Sequence, residues 1–404
     1  MSQLIKIFFL ALIIILMANY GCDSTRRVTS IAPVTLMDAM GEELTGKFEQ
    51  VHQERKFSFP QDHGAHPEYR QEWWYFSGNV QSTEGQRFGY ELTFFRIGLN
   101  PPSKIVANSA QKIKTSSWRT NNVYMAHFAV TDIDNKKFYY TEKFSRDALG
   151  LSGAGIYFKE RLEGDATQLK IWLDDWSVES VGNTVFPVQV SAKTENFSIS
   201  LVLNETKPIV LQGENGLSLK GNKPGNASYY YSVPRMVTVG NVFVNNESKS
   251  VTGFSWLDRE WSTSQLEPDQ EGWDWFALQL DDNREIMFYN LRKKDGTLDM
   301  NSAGVLVEES GKSRLLNVSD ISIEILRYWK SPHSDVEYPA GWKITVPSES
   351  LELQVTPAIA DQELNLTLRY WEGAVKVSGK YKDRNAIVAG KGYVELAGYQ
   401  PNPG

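Results

Sequence analysis

The sequence predicts an all-β protein with two antiparallel β-barrels in tandem, preceded by a signal peptide and a tether. Aromatic residues form 12% of the 404 residues, including 12 Trp and 18 Tyr, and aromatic side chains favour β-strands. From about residue 70 onward, short aromatic and β-branched segments alternate with polar turns. No long segment with a helical period interrupts this series.

Residues 1–21 have the pattern of a signal peptide. Lys6 precedes an apolar segment at 7–17, which is shorter than the ~20 residues that cross a bilayer but typical of a signal peptide. The single cysteine, Cys22, directly follows, so we expect it to be lipidated, with a plain secretory signal as the alternative. Residues 22–50 would then be the lipidated N-terminus and a tether to a membrane outside the cytoplasm.

Two series of predicted strands follow the tether. A loop rich in Gly, Asn and Pro, GNKPGNAS at 221–228, lies late in the first series. Turns such as DDNRE and KKDGT indicate hairpins in the second series. We place the domain boundary near residue 240, which gives an N-terminal domain at 51–240 and a C-terminal domain at 241–404.

The segment TGFSWLDREWS at 252–262 sets charged residues among aromatic ones. Alternation along a strand divides it into two faces, with Trp256, Asp258 and Glu260 on one and Leu257, Arg259 and Trp261 on the other. Unpaired charge is costly in apolar surroundings. Arg259 would therefore neutralise Asp258 or Glu260, or reach Asp274. The cluster is either a packing network or a functional site.

As a functional site, the cluster suits acid-catalysed hydration or isomerisation. Burial and a like-charged neighbour both raise the pKa of a carboxylic acid, and Asp258 and Glu260 lie ~7 Å apart along one face of a strand. Aromatic rings would stabilise a carbocation through cation–π attraction, and a tyrosine hydroxyl would hold the water. The candidates are Trp256, Trp273 and Trp275 for the cation and Tyr229, Tyr230 and Tyr231 for the water.

Other polar residues in the strand segments are candidates for interior networks. Glu72 and Trp74 in EWWYF, together with Glu91 and Arg96, would form a charge network in the first barrel or line a ligand site. His127 in AHFAV is expected to be a core residue with satisfied hydrogen bonds. The five histidines lack metal-ligand spacing, and no cofactor motif is present, so we expect neither a metal nor a cofactor.

Several long motifs resemble the AttH-like family, which includes the carotenoid 1,2-hydratases. Between about residues 65 and 300 they read EYRQEWWYFSGNV, FGYELTFFR, LQGENGLSLKG, ASYYYSVPRM, GFSWLDREWSTSQL and GWDWFALQLDDNREIMFYNLR. The resemblance implies two lipocalin-like β-barrels in one chain, often exported, and some members sit beside export permeases. The hydratases add water across a double bond of an acyclic carotene without a cofactor. The resemblance places Asp258 at their acid, whereas Leu257, Arg259 and Glu260 stand where they have a His-rich flank.

Two classes of function follow. The first is a membrane-anchored protein of the cell envelope, on the periplasmic face, that binds an apolar lipid- or isoprenoid-like ligand and serves an ABC-type permease. Its ligand-binding residues would be Trp256, Trp273, Trp275, Tyr230, Glu72 and Trp74. The alternative is a cofactor-independent hydratase or isomerase with Asp258, Glu260 and Arg259 as catalytic residues. A net charge of −7 without a Lys/Arg cluster argues against nucleic acid as a partner.

Overall fold

The computed structural model describes residues 48–102, 120–159, 166–264 and 266–401. The expected signal peptide, Cys22 and nearly all of the tether lie outside these ranges. Within them the chain forms 25 β-strands and four short 3₁₀-helices. No helix in the described ranges is long and apolar enough to cross a membrane.

The strands of the first half are β1 Gln71–Ser82, β2 Arg87–Gly98, β3 Asn122–Asp132, β4 Lys137–Arg146, β5 Ser152–Lys159, β6 Ala166–Leu173, β7 Trp176–Ser180, β8 Val188–Lys193, β9 Phe197–Glu205, β10 Val210–Leu211, β11 Leu217–Leu219, β12 Ala227–Val244 and β13 Glu247–Ser262. Those of the second half are β14 Gln270–Leu280, β15 Glu285–Lys293, β16 Ala303–Val307, β17 Ser313–Asn317, β18 Ser322–Ile325, β19 Tyr328–Lys330, β20 Glu337–Pro339, β21 Trp342–Val346, β22 Leu351–Pro357, β23 Glu363–Asn365, β24 Arg369–Tyr381 and β25 Ala386–Ala397. The 3₁₀-helices are Gln61–His63, Ala148–Gly150, Val318–Asp320 and Pro347–Glu349.

The first thirteen strands form one sheet. Its order is β4-β3-β2-β1-β13-β12-β9-β8-β7-β6-β5, and β10 and β11 add to β12. The sheet curls into a nearly closed barrel. The long strand β13 lies between β1 and β12 and pairs antiparallel with both, so that Asp258 faces Tyr75 on one side and Ser232 on the other.

The later strands form a second sheet in the order β17-β16-β15-β14-β25-β24-β22-β21-β18, with β23 on β24. This sheet is a half-barrel, and β19 and β20 form a separate hairpin. The predicted all-β architecture of tandem lipocalin-like barrels is therefore confirmed.

The first sheet ends with β13 at Ser262 and the second begins with β14 at Gln270, so the change of sheet falls after β13 rather than near residue 240. The expected boundary falls inside β12, and β13 pairs along its length within the first sheet. The aromatic segment of β13 resembles the start of a new strand series in the sequence. Its partner β1 lies far back in the chain, and no local pattern reveals such a pairing.

Alternation along the strands gives each sheet two buried faces. The interior of the first barrel is filled by large side chains such as Trp74, Phe76 and Trp261, and the interior of the half-barrel by side chains such as Trp342 and Trp371. A third cluster lies between the outer faces of the two sheets and contains Tyr75, Tyr230, Trp256, Trp275 and Tyr393. The two sheets thus pack against each other through aromatic surfaces.

Candidate functional site

A partly open cavity of about 150 Å³ lies between the two sheets. Strands β1, β2, β3, β12 and β13 supply one wall, and β14, β15, β24 and β25 supply most of the other. Most of the lining surface is apolar, and its aromatic residues are Trp73, Tyr75, Phe95, Tyr230, Trp273, Trp275, Tyr289 and Tyr370. Because the first barrel is filled by its own side chains, this cavity differs from the lipocalin arrangement, in which a ligand occupies the barrel itself.

Asp258 forms part of the cavity wall and is only 3% exposed. The Tyr230 hydroxyl donates to its Oδ2 at 2.5 Å, and the Trp256 indole N–H and the Ser232 hydroxyl donate to Oδ1. Burial raises the pKa of Asp258 to about 7, the three hydrogen bonds act in the opposite direction, and the Glu260 charge adds to the rise. The side chain therefore exchanges a proton near neutral pH.

Tyr230 connects Asp258 to the second sheet. The indole N–H of Trp275 donates to the Tyr230 hydroxyl oxygen at 3.1 Å. Burial and the nearby Asp258 carboxylate raise the pKa of Tyr230 well above its usual range. The phenol consequently keeps its proton and remains a donor to Asp258.

Glu260 lies on the same face of β13 but has different partners. Lys220 approaches its carboxylate at 3.1 Å, and the Ser228 hydroxyl donates to the same oxygen. The Lys220 ammonium also lies 4.1 Å from the centre of the Tyr289 ring. Burial alone would lower the pKa of Lys220, but Glu260 raises it overall. Glu260 therefore belongs to an ion pair in the cavity wall, with a lysine that the sequence analysis did not identify.

Arg259 points to the opposite face of β13, into the first barrel. Its guanidinium donates to Glu72 and to the Gly64 carbonyl, and it lies 4.0 Å from the Trp74 ring centre. The expected pairing of Arg259 with Asp258, Glu260 or Asp274 is wrong. Adjacent residues of a strand point to opposite faces, and the acid that Arg259 contacts comes from β1.

Glu72 is the centre of this network in the first barrel. Its carboxylate accepts hydrogen bonds from Arg96, Arg259 and the backbone N–H of His66. Burial would raise the pKa of Glu72, but the two guanidinium groups hold it well below its usual range. Glu72 borders the cavity, yet its carboxylate is committed to these partners.

Two other expectations about this region are corrected by the same geometry. Trp74 donates to the His63 carbonyl at 2.9 Å and packs in the first core, so it is not part of the cavity wall. Glu91 is absent from the Glu72 network. It lies on the opposite face of β2 from Arg96, where it accepts a hydrogen bond from Thr93. Of the expected network, the Glu72–Arg96 pair is present.

His127 is fully buried in the wall between the sheets. Its Nδ1 bonds to the Tyr370 hydroxyl at 2.6 Å, and burial lowers the pKa of His127 to about 3, so the ring is neutral. The other ring nitrogen has no hydrogen-bond partner among the described residues. The expectation of a satisfied core histidine therefore holds for Nδ1 alone. No group of three or more metal-binding side chains occurs in the described ranges.

The second sheet supplies two acids that the sequence analysis missed. Glu372 on β24 and Glu395 on β25 both line the cavity. Each is the single acid in an otherwise apolar or aromatic segment, YWEGAV and GYVELAGY. A single acidic residue in an apolar strand segment is a sequence signal for a functional site, because burying a carboxylate costs free energy.

Comparison with known proteins gives one family match and several structural neighbours. The model of the AttH-like family matches residues 50–399. The crystal structure of a protein assigned to AttH from Nitrosomonas europaea is 31% identical, covers 87% of this chain and all of its own, and gives a TM-score of 0.71. The comparison with curated proteins finds no match.

Two more distant structures share the fold. Kievitone hydratase from Nectria haematococca is 15% identical over 87% of this chain and 98% of its own, with a TM-score of 0.60. CghA with Sch210972 is 12% identical over 82% and 89%, with a TM-score of 0.50. At these identities the likeness concerns the fold alone.

Proposed function

The chain belongs to the AttH-like family, and from that premise we propose that it is a cofactor-independent acid–base enzyme. It would bind an apolar small molecule between its two sheets and use Asp258 to transfer a proton to or from a carbon–carbon double bond. The observation that supports this proposal most is the position of Asp258 in an aromatic cavity with a pKa of about 7. A carboxyl group with such a pKa serves as general acid or base near neutral pH.

Hydration would proceed in two steps with balanced protons. Asp258 donates its proton to one alkene carbon, and a carbocation forms on the other. A water molecule then adds its oxygen to the cation and releases one proton to the solvent, so that the elements of water are added, and the solvent returns one proton to the Asp258 carboxylate before the next turnover. Tyr230 and Ser232 stabilise the carboxylate in between. The same groups serve elimination in reverse.

The aromatic wall suits the cationic intermediate. Trp273 and Trp275 border the cavity on the second sheet. A desolvated cation over an indole face gains about 2 kcal/mol or more. The cavity volume of about 150 Å³ would hold a ring or an isoprene-sized end of a substrate, because a cavity of roughly this size accommodates benzene. The remainder of a longer substrate would extend through the opening.

Of the three positions at which the sequence differs from the His-rich flank of the carotenoid hydratases, two lie outside the cavity wall. Leu257 lies in the first core, and Arg259 binds Glu72. Both side chains point away from the cavity. Glu260, the third position of the flank, does line the cavity, where it pairs with Lys220. On the cavity side of β13 an ion pair therefore stands beside Asp258 in place of the His-rich flank.

The experiment that tests this function measures water addition directly. Purified protein is incubated with acyclic polyenes and prenylated aromatic compounds in ¹⁸O-labelled water, and mass spectrometry detects the labelled alcohol. We expect Asp258→Asn to abolish the product. The control is Asp132→Asn, a buried aspartate with amide partners outside the cavity, which should retain it. Equal turnover by both variants would contradict the proposal.

A ligand carrier without chemistry is the second candidate, because the cavity lining is mainly apolar. In that case the protein would be lipid-anchored through Cys22 at the periplasmic face and would exchange an isoprenoid-like ligand with an ABC-type permease. Native mass spectrometry of the purified protein would detect a co-purified ligand that Asp258→Asn still binds. Labelling with a fatty-acid analogue in a bacterial host, compared with Cys22→Ser, tests the anchor separately.

A further inference from the structure

We propose that Glu395 is a second acid–base group of the site, acting from the opposite wall to Asp258, with Glu372 as its positioning residue. This inference rests on the proposed function. It assigns to the second sheet a share in the acid–base chemistry, whereas Asp258 belongs to the first.

The strand register brings Glu395 close to the groups that hold Asp258. Glu395 on β25 is directly opposite Trp275 on β14, and side chains in such a pair share a face with Cβ atoms roughly 5 Å apart. The indole N–H of Trp275 donates to Tyr230, which donates to Asp258. Trp275 is thus a neighbour of both acids, one from each sheet.

Glu372 is directly opposite Glu395 on the other side, in the β24–β25 pair. It is 1% exposed and lines the cavity. The Tyr75 hydroxyl donates to its Oε1 at 2.7 Å, while Oε2 has no hydrogen-bond partner among the described residues. A buried carboxyl oxygen without a partner is costly, so this atom is available to a bound molecule.

The surrounding charges give Glu372 and Glu395 different protonation states and therefore different roles. Burial and the nearby acids Glu395 and Glu91 raise the pKa of Glu372 well above its usual range, so Glu372 keeps its proton. Burial, together with Glu260 and Asp258, raises the pKa of Glu395 to about 7, and a bond from Trp273 opposes the rise. Glu395 therefore changes protonation in the same pH range as Asp258, and Glu372 is a protonated carboxyl group directly opposite it in the strand pair.

Two acids on opposite walls would act on opposite faces of a bound alkene. Asp258 gives a proton to carbon from the first sheet. Water adds from the second sheet, its O–H bond breaks as the C–O bond forms, and the proton passes to Glu395. After product release, solvent returns one proton to Asp258 and removes one from Glu395. The arrangement predicts anti addition and a bell-shaped pH dependence of kcat/KM, because one acid must be protonated and the other ionised.

The test compares Glu395→Gln with Glu363→Gln, a buried glutamate of the second sheet whose partners are Ser331, Ser334 and Tyr338. We expect Glu395→Gln to lower kcat/KM by about 100-fold or more and to remove one limb of the pH profile. Glu395→Asp should retain that limb at reduced rate. Glu372→Gln should displace the limb without abolishing turnover. Wild-type rates and an unchanged profile in Glu395→Gln would overturn the inference while the proposed function stands.

A second measurement needs no substrate and covers the case in which no compound is turned over. Infrared spectroscopy follows the protonated carboxyl band of Asp258. The band is isolated in wild type, Glu395→Gln and Glu363→Gln by subtracting the spectrum of the same protein that also carries Asp258→Asn. Glu395→Gln removes a negative charge that faces Asp258, so the Asp258 midpoint should fall to lower pH. Glu363→Gln should leave it in place. The same Asp258 midpoint in Glu395→Gln as in the wild-type protein would overturn the inference.

Discussion

Replacement of Glu72 by glutamine separates the charge network of the first barrel from the chemistry of the cavity. Glu72 is fully buried between the guanidinium groups of Arg96 and Arg259, which are 1% and 0% exposed. The substituted amide would keep the shape of the side chain and leave two buried cations without an anion. Removing one partner of a buried ion pair costs ~3–5 kcal/mol, which corresponds to a fall in Tm of roughly 6–20 °C for a domain of this size.

The assay is urea unfolding followed by tryptophan fluorescence, with Glu363→Gln as the matched control. Glu363 is also fully buried and accepts three hydrogen bonds, but its donors are hydroxyl groups. Its amide variant should cost ~1–3 kcal/mol, less than Glu72→Gln.

The pH dependence of this loss has a definite sign. The folded pKa of Glu72 is depressed, so its contribution is complete above the ordinary value of 4.5 and is lost as the pH falls through the folded pKa. The difference between wild type and Glu72→Gln should therefore be full at about pH 7. A loss below about 1 kcal/mol, or abolished turnover with unchanged stability, would refute a bracing role for Glu72 and restore its assignment to the site.

Three further predictions follow. First, the folded pKa of Asp258 is raised from 3.8 to about 7, so its contribution to the free energy of unfolding should decline as the pH rises from about 4 to 7, by at most ~4 kcal/mol. The difference between the urea-derived pH profiles of wild type and Asp258→Asn separates this decline from the opposite effect of buried histidines such as His127, whose folded pKa is lowered. Second, Tyr230→Phe removes a donor to Asp258 and should shift the Asp258 infrared midpoint upward, whereas Tyr90→Phe, which loses a bond to Ser255 outside the cavity, should not. Third, Lys220→Met removes a cation that pairs with Glu260 and interacts with Asp258, so the Asp258 infrared midpoint should move to higher pH, and an unchanged midpoint would contradict this.

The strands and the faces of their residues could be predicted from the sequence, but the partners of those faces could not. Alternation in SWLDREW correctly separates Asp258 and Glu260 from Arg259. Which face meets the cavity depends on β1, whose Glu72 is 187 residues away from Arg259 in the chain. Local periodicity carries no information on such a pairing. Proximity in the sequence therefore predicted the wrong acid as the partner of Arg259.

The cavity itself depends on two sheets that are distant in the sequence. Its first wall includes Asp258 and Tyr230, which aromatic and charged motifs identify. Trp256, also expected there, does not line the cavity but packs between the sheets and donates to Asp258. Its second wall includes Glu372 and Glu395, each a lone acid in a strand segment that otherwise indicates a core. Only the packing of the outer faces of the two sheets turns these acids toward one space.

The central claim is that Asp258 exchanges its proton near neutral pH within a water-poor cavity. An infrared titration of the wild-type protein, from which the Asp258→Asn spectrum is subtracted, isolates the carboxyl band of this residue. The account predicts a midpoint close to pH 7. A midpoint near the ordinary value of 3.8 would mean that the carboxylate is well solvated, and it would contradict the assignment of Asp258 as the acid.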